Sequence, residues 1–178
     1  MTRALAAVQR AIPGLVHRDV TPHNVLVSRE GEVKLADFGI ARALDRARWT
    51  RPAIVKGKLG YMAPEQIRDE PLDVRTDLFA VGVVLYELLT RVRPWGSACG
   101  MQELRAIDRG DMVALSAHRP VRATALIRVV ERLLSRRPDD RFACADDALR
   151  ALAPFSAGEI GSLRLAWIGR VLTSSSVA

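Results

Sequence analysis

No stretch of 18 apolar residues occurs in this 178-residue chain, so no part of it reads as a membrane span. The longest apolar run, residues 79–89, is short and carries a glutamate; it reads as a buried helix. Cysteine is nearly absent. Cys99 and Cys144 stand far apart and neither belongs to a C-x-x-C pair, which excludes a zinc signature and a disulfide framework. The first residues have no long apolar core and no clear cleavage site, so no secretory signal is read and a cytoplasmic, reduced protein is expected. Lysine is scarce too: of 27 basic residues only Lys34, Lys56 and Lys58 are lysine. The net charge of +7 raises nucleic-acid binding, but the arginines form no stripe and no aromatics are interleaved with them. A solvated basic surface is the expectation, with no nucleic-acid and no membrane partner. There is no internal repeat and no low-complexity linker, and about half of the residues are apolar, enough for one core of ordinary size.

What is present divides into short elements. Residues 2–11 are helical by composition, and Pro13-Gly14 ends them. Residues 15–19 form an extended piece that runs into a polar loop. Residues 25–27 and 32–35 are two short strands around Arg29-Glu30-Gly31, where glycine suits the positive φ of a tight turn. Residues 41–60 are polar, basic and irregular. Residues 76–90 are apolar on nearly every face, the mark of a helix at the centre of a domain. Leu126, Val129, Val130, Leu133 and Leu134 make an amphipathic face at helical spacing. A Pro-Asp-Asp turn at 138–140 precedes a last helix near 145–152. The end of the chain is serine-rich and is expected to be loosely held.

The hairpin places chemistry. Its strands are antiparallel, so its open ends lie side by side and set Asn24 close to Asp37. An amide oxygen beside a carboxylate is a hard-oxygen site suited to magnesium. Asp19 lies five residues before Asn24, with Pro22 bending the chain between, and can face the same point as an acceptor for a hydroxyl proton. Taken singly, Asp19 and Asn24 also read as loop residues that cap backbone groups, and Asp37-Phe38-Gly39 as an ordinary turn.

Together they form a pattern. His17-Arg18-Asp19-Val20-Thr21-Pro22-His23-Asn24 resembles the catalytic loop of protein kinases, and Asp37-Phe38-Gly39 resembles their metal-binding motif. Gly60-Tyr61-Met62-Ala63-Pro64-Glu65 is similar to the end of their activation segment. Asp73 to Asp77 opens the apolar helix as the family's central helix opens, and Arg136 to Phe142 is similar to its late arginine motif. The five occur in family order. The resemblance is to bacterial serine/threonine protein kinases, and it implies a mainly α fold, a kinase-like C-lobe with one short β-hairpin over residues 1–153, and a tail at 154–178. It implies Mg-ATP as phosphoryl donor and a protein as substrate. By the same resemblance Asp19 accepts the substrate proton, and Asn24 and Asp37 hold the metal. Leu26 forms the floor under adenine; it also reads as a plain core leucine. His17 and Phe38 belong to an apolar column. Asp77 accepts N–H bonds from the His17-Arg18 loop, and Glu65 pairs with Arg141. Arg18 would meet a phosphate on Thr50, the one serine or threonine between Asp37 and Glu65.

Departures from the family are as informative. No G-x-G-x-x-G occurs, and only 16 residues precede His17, so the N-lobe, its strand lysine and half of the ATP site are expected to be absent. The chain alone is then not expected to be competent, and a non-catalytic kinase-like scaffold is the rival reading. The apolar surface around Leu26 and Phe38 would face water and favour a separate N-lobe, a partner protein or self-association. Serine/threonine kinases usually carry lysine where Thr21 stands, and threonine where Lys58 stands. Lys58 is therefore expected to lie within about 4–5 Å of Asp19 and to stand in for the missing cation.

Overall fold

The apolar run that stood out in the sequence is the helix around which the rest is arranged. In the computed structural model, which describes residues 1–28, 33–37, 58–118 and 124–155, eight elements follow one another. They are α1 (Thr2–Ala11), β1 (Val25–Val27), β2 (Val33–Leu35), α2 (Pro64–Ile67), α3 (Val74–Thr90), α4 (Met101–Arg109), α5 (Thr124–Leu133) and α6 (Ala145–Leu152). The described chain is thus mostly helical, with one two-stranded antiparallel sheet. Phe38, Thr50, the Arg29-Glu30-Gly31 turn and the tail beyond Phe155 lie outside the described residues.

Helix α3 begins two residues before the helix read over 76–90 from the sequence. Asp73 is its N-cap and accepts the Arg75 N–H at 2.8 Å, so Val74 and Arg75 already belong to the helix. It ends at Arg91, whose φ of 66° is left-handed and whose N–H reaches Glu87 O. From Thr76 to Tyr86 every residue is buried. Such a helix needs cover on all sides, and α5 and α6 provide much of it through Leu126, Val130, Leu133, Ala145, Ala148 and Leu152. Gly82 lets α5 come close: a Cβ there would lie 2.9 Å from Leu133 Cβ. Helix α1 lies against α6, with Leu5 and Ala6 buried.

The hairpin register pairs Val25 with Leu35 and Leu26 with Lys34. Alternation along so short a sheet leaves one face to water, and Leu26 is 55% exposed on it. It is not a core leucine. Of the stretch read as irregular through residue 60, Leu59–Tyr61 turn as a 3-10 helix against α3 and α4, and residues 41–57 lie outside the described residues. Among the described residues no helix is long and apolar enough to cross a membrane.

One ion pair ties distant pieces together. Arg141 Nη1 and Nη2 donate to the two oxygens of Glu65 at 2.7 and 2.9 Å, and Thr76 Oγ1 donates to Glu65 Oε1. Arg141 also donates to the carbonyls of Arg75, Ser135 and Arg136, and its guanidinium lies 4.9 Å from the centre of the Phe79 ring. Burial pushes the Glu65 carboxyl up, but the Arg141 hydrogen bonds and charge outweigh it and hold it below its ordinary value. A buried pair this well satisfied fixes geometry more than it adds net stability, yet breaking it strands a charge. Arg141→Met, which leaves Glu65 buried and alone, is expected to cost about 3–5 kcal/mol in urea unfolding. A loss below about 1 kcal/mol would mean that Glu65 finds another partner or water.

Candidate active site

Residues 17–24 join the extended piece after α1 to β1, and their shape is set from below by α3. Asp77, in the first turn of α3 and 2% exposed, accepts the His17 N–H at 2.7 Å and the Arg18 N–H at 2.9 Å, one on each carboxylate oxygen. Burial pushes the Asp77 carboxyl up to about 6, and these two N–H bonds oppose the shift. Arg18 itself has φ of 67°, left-handed backbone that an arginine rarely adopts. His17 is buried, and burial lowers its pKa, which favours the neutral ring. In that form Nε2 donates to Ala36 O at 3.1 Å and Nδ1 accepts from the Asp19 N–H at 3.4 Å. The imidazole therefore links the loop to the chain leaving β2.

Two donors converge on Asp19 Oδ2. Asn24 Nδ2 reaches it at 3.0 Å while also donating to Asp19 O at 2.7 Å, and Lys58 Nζ reaches it at 3.0 Å. The Lys58 distance lies inside the range expected from the sequence. Both hydrogens of the Asn24 amide are thus turned to Asp19, which makes Oδ1 the atom left for a cation. Ala36 N donates to Asn24 O at 2.8 Å, so Asp37 is one residue from the main-chain partner of Asn24 at the open end of the hairpin. Asp37 is exposed and also left-handed, with φ of 54°. Amide and carboxylate oxygens are the donors magnesium takes. Among the described residues no group of three or more His, Cys, Asp and Glu side chains forms a metal cage. Two protein oxygens fit a magnesium ion that completes its shell with water and phosphate.

A cleft opens beside Asp19, lined by Arg18, Thr21, Lys58, Leu59, Met62 and Gln66 among others. Gln66 spans its floor: Oε1 accepts the Ala63 N–H and Nε2 donates to Arg18 O. Thr21 is 1% exposed and its Oγ1 has no partner among the described residues. Opposite it, residues 58–61 are anchored by groups that sequence reasoning missed. Trp95 Nε1 donates to Gly60 O at 2.9 Å, the Tyr61 hydroxyl donates to Glu87, and Arg93 pairs with the buried Glu103 directly over Gly60. A Cβ on Gly60 would overlap both members of that pair. The glycines at 100 and 110, which bound α4, were the available signal for this part of the anchor. Of the other sequence-predicted residues, Leu26 lies exposed on β1 and Glu65 and Arg141 lie buried below; Phe38 and Thr50 fall outside the described residues.

Known proteins share this arrangement of sequence. A family model described as protein kinase domain matches residues 2–151. The chain is 40% identical over 141 residues to tyrosine-protein kinase MasK of Myxococcus xanthus, covering 79% of this chain and 22% of that protein. It is 52% identical over 91 residues to serine/threonine-protein kinase PknL of Mycobacterium tuberculosis, covering 51% of this chain and 22% of that protein. A probable serine/threonine-protein kinase of Corynebacterium efficiens is 38% identical over 138 residues, 74% of this chain and 21% of that protein. The chain therefore spans about a fifth of the length of these relatives.

The raised pKa of Asp77 has a measurable sign. Its folded value near 6 lies above the ordinary 3.8, so its contribution to stability is greatest below pH 3.8 and is lost as pH rises through about 6. Asp77→Asn cannot titrate and offers one oxygen to two N–H groups. Urea midpoints of the two proteins should show the wild type gaining relative to Asp77→Asn as pH falls from 7 to 4. A difference that stays flat over that range would show that Asp77 does not titrate there.

Proposed function

The chain belongs to the protein kinase domain family, and on that premise we propose that it carries the catalytic and metal-binding loops of a serine/threonine protein kinase, as the larger lobe of that fold. One observation carries this reading: the Asp19 carboxylate is held by Asn24 and Lys58 beside a cleft, while the main chain ties Asn24 O to Ala36 N, one residue before Asp37. The reaction is transfer of the terminal phosphoryl group of ATP to a protein serine or threonine hydroxyl. The hydroxyl oxygen attacks phosphorus, its proton passes to Asp19, and the bond to the bridging oxygen breaks to release ADP. Asn24 Oδ1 and the Asp37 carboxylate would hold magnesium, which neutralises phosphate charge when bound. Asn24 does two jobs, since its amide nitrogen orients Asp19 while its oxygen serves the metal. His17 and Asp77 act at one remove, by fixing the backbone from which Asp19 projects.

Two relatives named as serine/threonine kinases support that substrate class; MasK is named as a tyrosine kinase, so the acceptor residue is the point to test. Leu26 supports a place for adenine, being apolar, exposed and one strand residue beyond Val25. Ile12, after α1, is also more than half exposed. Apolar surface of this kind suits cover by a nucleotide-binding lobe or by a second copy. A cytoplasmic setting goes with the use of Mg-ATP.

The chain joined behind the glycine-rich lobe of a relative such as PknL, given Mg-[γ-32P]ATP and a protein acceptor, should label serine or threonine. Asp19→Asn should lower that labelling by about 10²–10⁴-fold. Equal labelling by Asp19→Asn rejects Asp19 as the proton acceptor, and label on tyrosine alone rejects the acceptor class.

A further inference from the structure

Resting on the phosphoryl-transfer reading, we propose that Lys58 is the cation that meets the transferring phosphoryl group, a task its neighbour across the cleft, Thr21, cannot perform. The charge in a phosphoryl-transfer transition state is spread over the phosphate oxygens, so catalysis is mostly positioning and electrostatic stabilisation. A site of this kind needs a positive group beside the acceptor carboxylate. Thr21 is neutral, short and buried, with its hydroxyl unpartnered among the described residues. Lys58 brings its ammonium to 3.0 Å from Asp19 Oδ2, and the two side chains are 24% and 12% exposed. The pair thus sits at the rim of the cleft, neither sealed in the interior nor loose in solvent. An ammonium has three N–H donors, and one on Asp19 leaves two for phosphate oxygens.

A lysine on a mobile loop would carry little weight here. Lys58 is instead the residue from which an anchored turn begins: Lys58 O accepts the Tyr61 N–H, Gly60 O accepts from Trp95, and Gly60 lies beneath the Arg93–Glu103 pair. The backbone of Lys58 is therefore fixed within two residues, and the side chain spans from one wall of the cleft to Asp19 on the other. Arg93, Glu103 and Trp95 are positioning residues for it.

The scarcity of lysine makes this testable on the chain as it stands. Only Lys34, Lys56 and Lys58 give lysine side-chain resonances, and Lys58→Met identifies the third. With magnesium tripolyphosphate, and separately with a non-hydrolysable Mg-ATP analogue, the Lys58 ammonium and the Asn24 side-chain amide are expected to shift together while Lys34 stays put. Amine acetylation followed by mass spectrometry should show Lys58 protected by the same probes. In the joined enzyme, Lys58→Met should lower kcat by about 10²–10³-fold, with Lys58→Arg retaining more. If Asn24 responds and Lys58 neither shifts nor is protected, Lys58 is a solvated lysine and the proposal is overturned. If neither residue responds to either probe in the joined enzyme, the phosphoryl-transfer reading fails, and this proposal with it.

Discussion

Both oxygens of the Asp77 carboxylate are taken by main-chain N–H groups of one loop, and the candidate site depends on that contact. The loop contains Arg18 in left-handed backbone, a conformation that costs about 1–3 kcal/mol in a residue with a β-carbon. Hydrogen bonds to a charged group contribute roughly 1.5–3 kcal/mol each, so two of them suffice to hold it. The consequence is directional. With Arg18 turned this way, Asp19 projects into the cleft rather than following the strand, and His17 turns inward to meet Ala36. Asp77 can serve because it lies on the part of α3, Thr76 to Tyr86, that is buried at every residue.

The same helix carries the second wall. Tyr61 reaches Glu87 of α3, Trp95 stacks at 6.2 Å on Phe79 of α3 while holding Gly60, and the Glu65–Arg141 pair closes around Thr76 at its start. Two polar loops, far apart in sequence, are thus each fastened to one rigid apolar element. Functional side chains on loops gain precision in this way, from the scaffold beneath them. It also explains why Lys58 and Asp19 can be 39 residues apart in sequence and 3.0 Å apart in space.

Much of this was legible because it follows from periodicity and pairing. The apolar run of α3, the helix at Ala145–Leu152 and the hairpin all came from side-chain pattern, and the register pairs Val25 with Leu35, the residue after Asn24 with the residue before Ala36. What stayed hidden has physical reasons. Arginine carries no signal for left-handed backbone, so Arg18 could not be foreseen. Helix α4 buries only Glu103 and Ile107 within its span, too few apolar positions to show a helical stripe. Glu103 reads as a surface charge until Arg93 is seen folded over it. Strand β1 is apolar at every position, so its pattern does not say which face is covered; only the resemblance pointed to Leu26 facing water, where it is 55% exposed. The burial of Thr21 came from the loop's turn, not from its own polarity.

The central claim is that Asn24, Asp37 and Asp19 form one phosphoryl-transfer site. A crystal structure of the chain joined to a nucleotide-binding lobe, with a non-hydrolysable ATP analogue and magnesium, tests it most directly. The account predicts a metal about 2.0–2.1 Å from Asn24 Oδ1 and from an Asp37 oxygen, with the terminal phosphate facing Asp19. A nucleotide bound with its metal ligated elsewhere, and with Asp19 turned away from the phosphates, would contradict it.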